Sequence, residues 1–364
     1  MSRQDFTVSF PEEERVLVTG GSGFVGSHTA VRLLREGHRI RVVVRSPAQE
    51  AQVLAALQQA GVDPADLLEF AVADLSADDG WVQAMDGIAH VLHHASPFPP
   101  TPPETEDEVV LPARDGALRV IAAARGAGIP RVVMTSSFAA VGYTLTPDDH
   151  YTETDWTDPD TPGLPAYHKS KVLAEAAAWD YVRTNGGIEL AVVNPTGIFG
   201  PQLVDRPSGS IGLIKALMAG EMSAVPVWNF GVVDVRDVVD LHLRAMLHPR
   251  AAGERFLANS GSSSLFIIAN ILREHFPAAA DRLPAAELTI EQVREAAKTE
   301  PALRDAAVLE GRIPDISNEK ARSVLGWEPL DVSDTIVATA ESLIRLGAVT
   351  LPGNGTATSS GQRR

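Results

Sequence analysis

Between Val16 and Gly26 the chain reads Val-Leu-Val-Thr-Gly-Gly-Ser-Gly-Phe-Val-Gly: an apolar strand, a glycine-rich turn and a helix start. Few sequences constrain a fold more tightly. In the Gly-x-x-Gly-x-x-Gly pattern of Gly20, Gly23 and Gly26, the first glycine permits the tight turn. The second lets a pyrophosphate approach the backbone, and the third lets helix and strand pack closely. Gly20, Ser22, Gly23, Phe24, Val25 and Gly26 are therefore the expected cradle for a nucleotide.

The same strand-to-helix rhythm continues. Val/Leu/Ile runs at 15–19, 39–44, 68–72, 90–94, 131–135 and 190–193 alternate with helical segments at 26–36, 47–60, 80–85, within 106–127, and around Tyr167. Short apolar runs bounded by turn residues suit strands buried on both faces. Repeated β-α-β units predict an α/β fold: a Rossmann-type, doubly wound parallel sheet with ligands at the carboxyl ends of its strands. The expected organisation is a tail over 1–14, a dinucleotide-binding domain over 15–196, a smaller C-terminal substrate lobe over 197–351, and a tail over 352–364. Two segments of the lobe, the helix after Val235 and the run 255–258, are expected to return to the sheet.

The 364 residues carry a formal net charge of -16, which argues against nucleic acid, whose binding needs a basic footprint. There are no cysteines, so thiol nucleophiles and cysteine metal sites are excluded. His93 and His94 are adjacent on a strand and point to opposite faces, so no metal is expected. Met1–Glu14 lacks the basic-then-apolar pattern of a secretory signal, and no apolar run approaches a membrane span, so a cytoplasmic monomer or homodimer is expected.

The end of the second strand chooses the nucleotide. Arg45 stands there, nineteen positions after Gly26, where an acidic residue would select NAD. A guanidinium suits the 2′-phosphate of NADP. Asp74 and Leu75, ending the third strand, are placed beside the adenine, although Asp74 could instead cap its turn. Tyr167 and Lys171 lie at i and i+4 on one helix face. A phenol ionises near about 10 in water, and an ammonium beside it favours the phenolate. Tyr167 is thereby equipped to give a proton to a carbonyl oxygen. Thr135-Ser136-Ser137 ends the fifth strand upstream, and a serine there can hydrogen-bond the same oxygen. Ser137, one residue further past the strand, is the better placed; either serine could instead be a cap.

These motifs occur in the order found in the extended short-chain dehydrogenase/reductases, which the chain resembles over nearly its whole length. They are Thr19–Gly26, Arg45, Asp74-Leu75, His94-Ala95-Ser96-Pro97-Phe98, Thr135–Ser137, Tyr167–Lys171, Asn194-Pro195-Thr196 and Asp234–Val238. It is most similar to the dihydroflavonol-4-reductase-like branch of NADPH-dependent aldehyde and ketone reductases. The resemblance implies an NADPH-dependent oxidoreductase that reduces an aldehyde or ketone. It implies Ser137, Tyr167 and Lys171 as catalytic residues, and Ala95, Ser96, Pro195 and Thr196, with Tyr167 and Lys171, as further cofactor contacts. Phe98, Phe138, Tyr143, Phe199, Leu203 and Trp228 are the candidate pocket walls for a neutral substrate, about half of them expected simply to pack the lobe. Ala113 stands where many relatives carry a proton-relay asparagine, so the route of reprotonation stays open. A sugar-nucleotide epimerase or dehydratase of the same fold is one alternative, but an acid is usual at its second strand end, where Arg45 stands here. A non-catalytic NADP-binding regulator is another, but such proteins typically lose the tyrosine–lysine pair.

Overall fold

The computed structural model describes residues 7, 9–97, 105–146, 148–205, 209–300, 303, 306–307 and 311–352. Its centre is a sheet of seven strands: β1 (Arg15–Thr19), β2 (Arg39–Val44), β3 (Leu68–Val72), β4 (His90–His93), β5 (Arg131–Thr135), and two later strands. Between β5 and the sixth of these lies a two-residue strand, β6 (His150–Tyr151), outside the sheet. The later two are β7 (Glu189–Pro195) and, beyond β8 (Gly197–Phe199), β9 (Ala224–Pro226) and β10 (Asn229–Asp234), the strand β11 (Arg255–Ala258). The order is β11-β7-β5-β4-β1-β2-β3, and each neighbouring pair is parallel. The chain leaves β1 towards β2 on one side, while β4 lies on the other. A crevice therefore opens between the carboxyl ends of β1 and β4.

Alternation along β1 shows why the middle of this strand is apolar on both faces. Val16 and Val18 join a core layer with residues of α1 (Phe24–Arg35) and α2 (Glu50–Gln59). Leu17 joins the opposite layer. There Trp81 and Met85 of α3 (Trp81–Met85) pack with residues of α4 (Asp107–Gly126) and α5 (Ala166–Asn185). All three valine and leucine side chains of β1 are fully buried.

The lobe has its own core, formed mainly by Phe199, the helix α6 (Gly209–Ala219) and the helices Leu265–His275 and Val332–Arg345. A small sheet of β8, β10 and β12 (Gly261–Ser264), and pairs of β9 with β13 (Ala286–Leu288) and β6 with β14 (Asp315–Ile316), complete it. Two of its segments belong to the main sheet. β11 pairs with β7, and α7 (Val235–Leu247) packs into the α1 layer with Trp327.

Boundaries differ from the sequence expectation where hydrogen bonds extend an element. The Ser27 N–H bonds the Gly23 carbonyl at 3.0 Å, so α1 begins at Phe24 rather than Gly26. Pairing with β11 carries β7 through Pro195 rather than ending it at Val193. Within the expected N-terminal tail, Phe10 stacks on His38 at 4.1 Å, and Glu14 and His90 meet at 2.8 Å, so these two residues pack at the amino ends of the central strands β2 and β4. Residues 1–6, 8 and 353–364 of the expected tails lie outside the described residues. Among the described residues, no helix is long and apolar enough to cross a membrane, and no group of three or more His, Cys, Asp or Glu could hold a metal ion.

Candidate active site

The crevice holds a cavity of about 700 Å³ that runs from the glycine turn into the lobe. Its floor is the turn after β1. Gly20 adopts φ +70°, and its carbonyl accepts the Gly23 N–H at 2.8 Å. A Cβ on Gly20 would lie 2.9 Å from the Ala95 nitrogen, and one on Gly26 only 2.2 Å from the Gly20 carbonyl oxygen. These two glycines are therefore needed for close packing of turn, helix and the loop after β4. Gly21, which the sequence reading passed over, is equally tight: its Cβ would meet Val42 at 2.4 Å.

Gly23 is the N-cap of α1, has no side chain to cap it, and no acidic residue follows in the first turn. The first N–H groups of a twelve-residue helix thus face the crevice with the positive end of its dipole. A glycine cradle with an uncapped helix start fits the pyrophosphate of a dinucleotide. Gly20, Gly23, Phe24, Val25 and Gly26 line the cavity, while Ser22 lies within the turn.

Arg45, Asp74 and Leu75, expected to meet the adenosine end of the nucleotide, follow β2 and β3 and do not line the cavity. Arg45 is exposed, and its backbone N–H is held by Gln49 Oε1 at 2.9 Å. Asp74 accepts the Ser76 N–H and hydroxyl at 2.8 and 2.7 Å, so it does cap its own turn. These bonds, helped by the positive charge of Arg45, hold its carboxyl below the usual range. Leu75 packs against Gly116, and its carbonyl accepts from Arg119.

Tyr167, the second residue of α5, lines the cavity, and Lys171 follows one helical turn on. The Lys171 Nζ lies 5.6 Å from the centroid of the Tyr167 ring and donates to Ser96 Oγ at 2.8 Å. Lys171 is buried, as suits a cation held between a phenol ring and a loop. Ser137 lines the cavity opposite, after β5. Its Oγ accepts the Ala139 N–H at 3.1 Å, capping the short helix Phe138–Ala140, and this leaves the hydroxyl proton for another acceptor. Ser136 also borders the cavity, but its hydroxyl is committed: it donates to buried Glu175 at 2.6 Å. Pro195 and Thr196 line the cavity, and Thr196 is anchored to β11 through the Ala258 carbonyl. Ala95 donates its N–H to Thr19 Oγ1 at 3.0 Å, which fixes the loop start. Ala113 is buried against the α4–α5 layer.

Behind the cavity runs a chain of histidines. His242 Nδ1 donates to the Val238 carbonyl at 2.7 Å, and burial pushes this ring down to about 4. Its neutral Nε2 therefore accepts the Thr135 hydroxyl at 2.8 Å, and Thr135 accepts from His94 Nδ1 at 2.7 Å. His94 lines the cavity and is held well below its usual value by burial first, then by His242 and His93.

The substrate end is apolar. Phe138 packs edge-on against Tyr151 at 5.5 Å, and Trp228 stands beside Phe230 at 5.3 Å. Phe138, Tyr143, Phe199 and Trp228 line the cavity, but Phe199 is fully buried and stacks in the lobe core. Leu203 does not line it: the chain carries this side chain over to the α1–α7 layer, so the expectation for Leu203 is corrected. Phe98 lies outside the described residues. Sequence reading gave no role to His168, which lies inside the Tyr167–Lys171 motif, or to Phe230 and Arg312, which have no local motif; the cavity brings the three together from distant segments. Arg312 is paired with Asp149 at 2.8 Å and with the Thr146 carbonyl at 3.1 Å, so its charge is already met.

Residues 16–258 match the model of the "NAD dependent epimerase/dehydratase family". The chain is 32% identical to cinnamoyl-CoA reductase CAD2 of Medicago truncatula over 335 residues, covering 90% of this chain and 95% of that one. It is also 32% identical to dihydroflavonol 4-reductase of Hordeum vulgare, over 72% of this chain and 75% of the relative. The fold superposes on yeast methylglyoxal/isovaleraldehyde reductase Gre2 complexed with NADPH with a TM-score of 0.74, at 26% identity, over 92% of this chain and all of that one.

Proposed function

Since the chain belongs to the NAD dependent epimerase/dehydratase family, as an extended short-chain dehydrogenase/reductase and an NADP-dependent oxidoreductase, we propose that it reduces a neutral, largely apolar aldehyde or ketone to the alcohol. One observation carries the reading. The glycine cradle, Ser137 and Tyr167 border a single cavity whose far walls are aromatic.

NADPH, when bound, supplies the hydride. Gly20, Gly23 and the start of α1 would hold its pyrophosphate, Arg45 its 2′-phosphate, and Lys171 with Ser96 the ribose near the reacting ring. The residues of the chain do the rest. The Ser137 hydroxyl donates a hydrogen bond to the substrate carbonyl oxygen and orients it. Tyr167 gives that oxygen a proton. The Lys171 charge stabilises the negative charge left on the phenol oxygen. Phe138, Tyr143 and Trp228 exclude water from the substrate end. A diphosphate would need clustered free cations here, whereas Arg312, the guanidinium on this wall, is neutralised by Asp149.

The test is NADPH oxidation against a panel of aliphatic and aromatic aldehydes, ketones and flavanonols, with nucleotide sugars as competitors. An apolar carbonyl compound should turn over, and a nucleotide sugar should neither react nor compete. Tyr167→Phe should bind NADPH as before and lose ~10²–10⁴ in kcat. Tight competition by a UDP- or dTDP-sugar, or a Tyr167→Phe variant that keeps more than about half of the unmodified activity where a lost general acid should cost ~10²–10⁴, would reject the reading.

A further inference from the structure

Eight residues beyond Tyr167 and one turn beyond Lys171, α5 carries Glu175, and its carboxylate is fully buried. It is the meeting point of four donors. Oε2 accepts the Ser136 hydroxyl at 2.6 Å and Asn194 Nδ2 at 2.7 Å. Oε1 accepts Arg255 Nε at 2.6 Å and Trp179 Nε1 at 3.2 Å. Ser136 directly follows β5, Asn194 belongs to β7 and Arg255 to β11. One helix-borne group thus cross-ties the ends of three parallel strands.

The tie reaches the site. Asn194 Nδ2 also donates to the Ser137 carbonyl at 3.2 Å, and the Ser136 N–H donates to the Val193 carbonyl at 2.8 Å. The segment carrying the Ser137 hydroxyl is thereby held from both its backbone and its neighbour's side chain. A buried carboxylate is costly without a counter-charge. Arg255 supplies it, has its guanidinium carbon 3.8 Å from the centroid of the Trp156 ring, and is itself locked by the Glu153 and Asp155 carbonyls at 3.0 and 2.9 Å.

We propose that Glu175 is a positioning residue: through Ser136 and Asn194 it sets the place of the Ser137 hydroxyl relative to Tyr167, which rides on the same helix. The proposal rests on the carbonyl-reductase reading of the site. Tyr167 and Ser137 sit on separate elements, and catalysis needs them aimed at one oxygen. A misplacement of about 1 Å at such a site costs up to ~10²-fold.

The decisive variant is Ser136→Ala, which removes the hydroxyl link next to Ser137 and leaves the Asn194 link and the Glu175–Arg255 pair in place. Glu175→Gln strands Arg255 and should lower Tm, so it serves only as a companion. With a carbonyl substrate from the panel, Ser136→Ala should lower kcat about tenfold, within that range, with KM and NADPH affinity little changed. The primary isotope effect with deuterated NADPH should rise, because the chemical step becomes slower. In the Ser137→Ala background the same substitution should cost about nothing further, the signature of two residues acting as one unit. Full additivity in that cycle, or unchanged kcat in Ser136→Ala, overturns the proposal while leaving the functional reading intact. No turnover of any carbonyl compound by the unmodified chain overturns both.

Discussion

Arg45 faces a carboxylate before it meets any ligand. Its charge helps hold Asp74 ionised, although the Ser76 hydrogen bonds do more. A 2′-phosphate brings more negative charge than Asp74 and competes well for the exposed guanidinium. A charge-assisted bond to phosphate is worth about 1.5–3 kcal/mol. Arg45→Ala should therefore weaken NADPH about 10- to 100-fold, while NADH stays nearly unchanged, since it offers no phosphate there. Nucleotide-fluorescence titration of both cofactors checks this; equal affinities in the unmodified chain would count against it.

At the scale of elements, the turn into α1 and the helix α6 make opposite demands on glycine. In α1 a Cβ at Gly26 would strike backbone at Gly20 and Gly21, which cannot move without opening the cradle. In α6, Gly212 has open space around its absent Cβ. Alanine is favoured over glycine inside a helix by about 0.8–1.0 kcal/mol. Gly212→Ala should accordingly raise stability by roughly that amount. Gly26→Ala should lose stability despite the same helix preference and bind NADPH at least about tenfold more weakly, given that an overpacked contact costs typically 1–3 kcal/mol. Denaturant unfolding and cofactor titration of the two variants test the contrast.

The elements most legible in the sequence are the Val/Leu/Ile-rich strands of the main sheet. Residues 15–19, 39–44, 68–72 and 131–135 are short, mainly apolar runs between turns, and the strands follow them residue for residue, although Arg41 and Glu69 interrupt two of them and 68–72 is only partly buried. The helical spacing of Tyr167 and Lys171 was equally readable. The lobe was not, because its order is non-local: β6 and β14 are two residues each and pair across a separation of 165 residues. Glu175 was invisible for a related reason. A lone glutamate on a helix has no pattern; its meaning comes from Ser136, Asn194 and Arg255, which only the folded sheet assembles. Leu203 misled because the irregular segment around it carries no period to show which way it faces.

For the whole molecule, acid stability is governed by histidines kept neutral. Burial pushes His28, His168 and His242 down to about 4 and His93 to about 3. Unfolded, each would bind a proton near 6.5. Below that value the unfolded chain holds more protons than the folded one, so stability is complete above about 6.5 and falls as pH drops towards 4, by up to about 1.4 kcal/mol per unit per histidine. His150, exposed and bonded to Asp315, works weakly in the opposite sense, as does buried Glu153 near the bottom of the window. Tm should drop clearly between about pH 7.5 and 5 by this linkage, and His242→Gln should make that slope shallower. A Tm that holds steady over this interval would contradict the assignment.

β11 gives the molecule a built-in order of assembly. Arg255 and the strand around it emerge from the ribosome only after the first lobe segments, β8 to β10 with α6. Until then the outer edge of β7 has no neighbour and the carboxylate of Glu175 has no counter-charge. The nucleotide-binding half therefore cannot mature as a free-standing unit during synthesis. A chain that stalls or is clipped before Arg255 presents an open strand edge and an uncompensated charge, the kind of surface that quality-control chaperones and proteases engage.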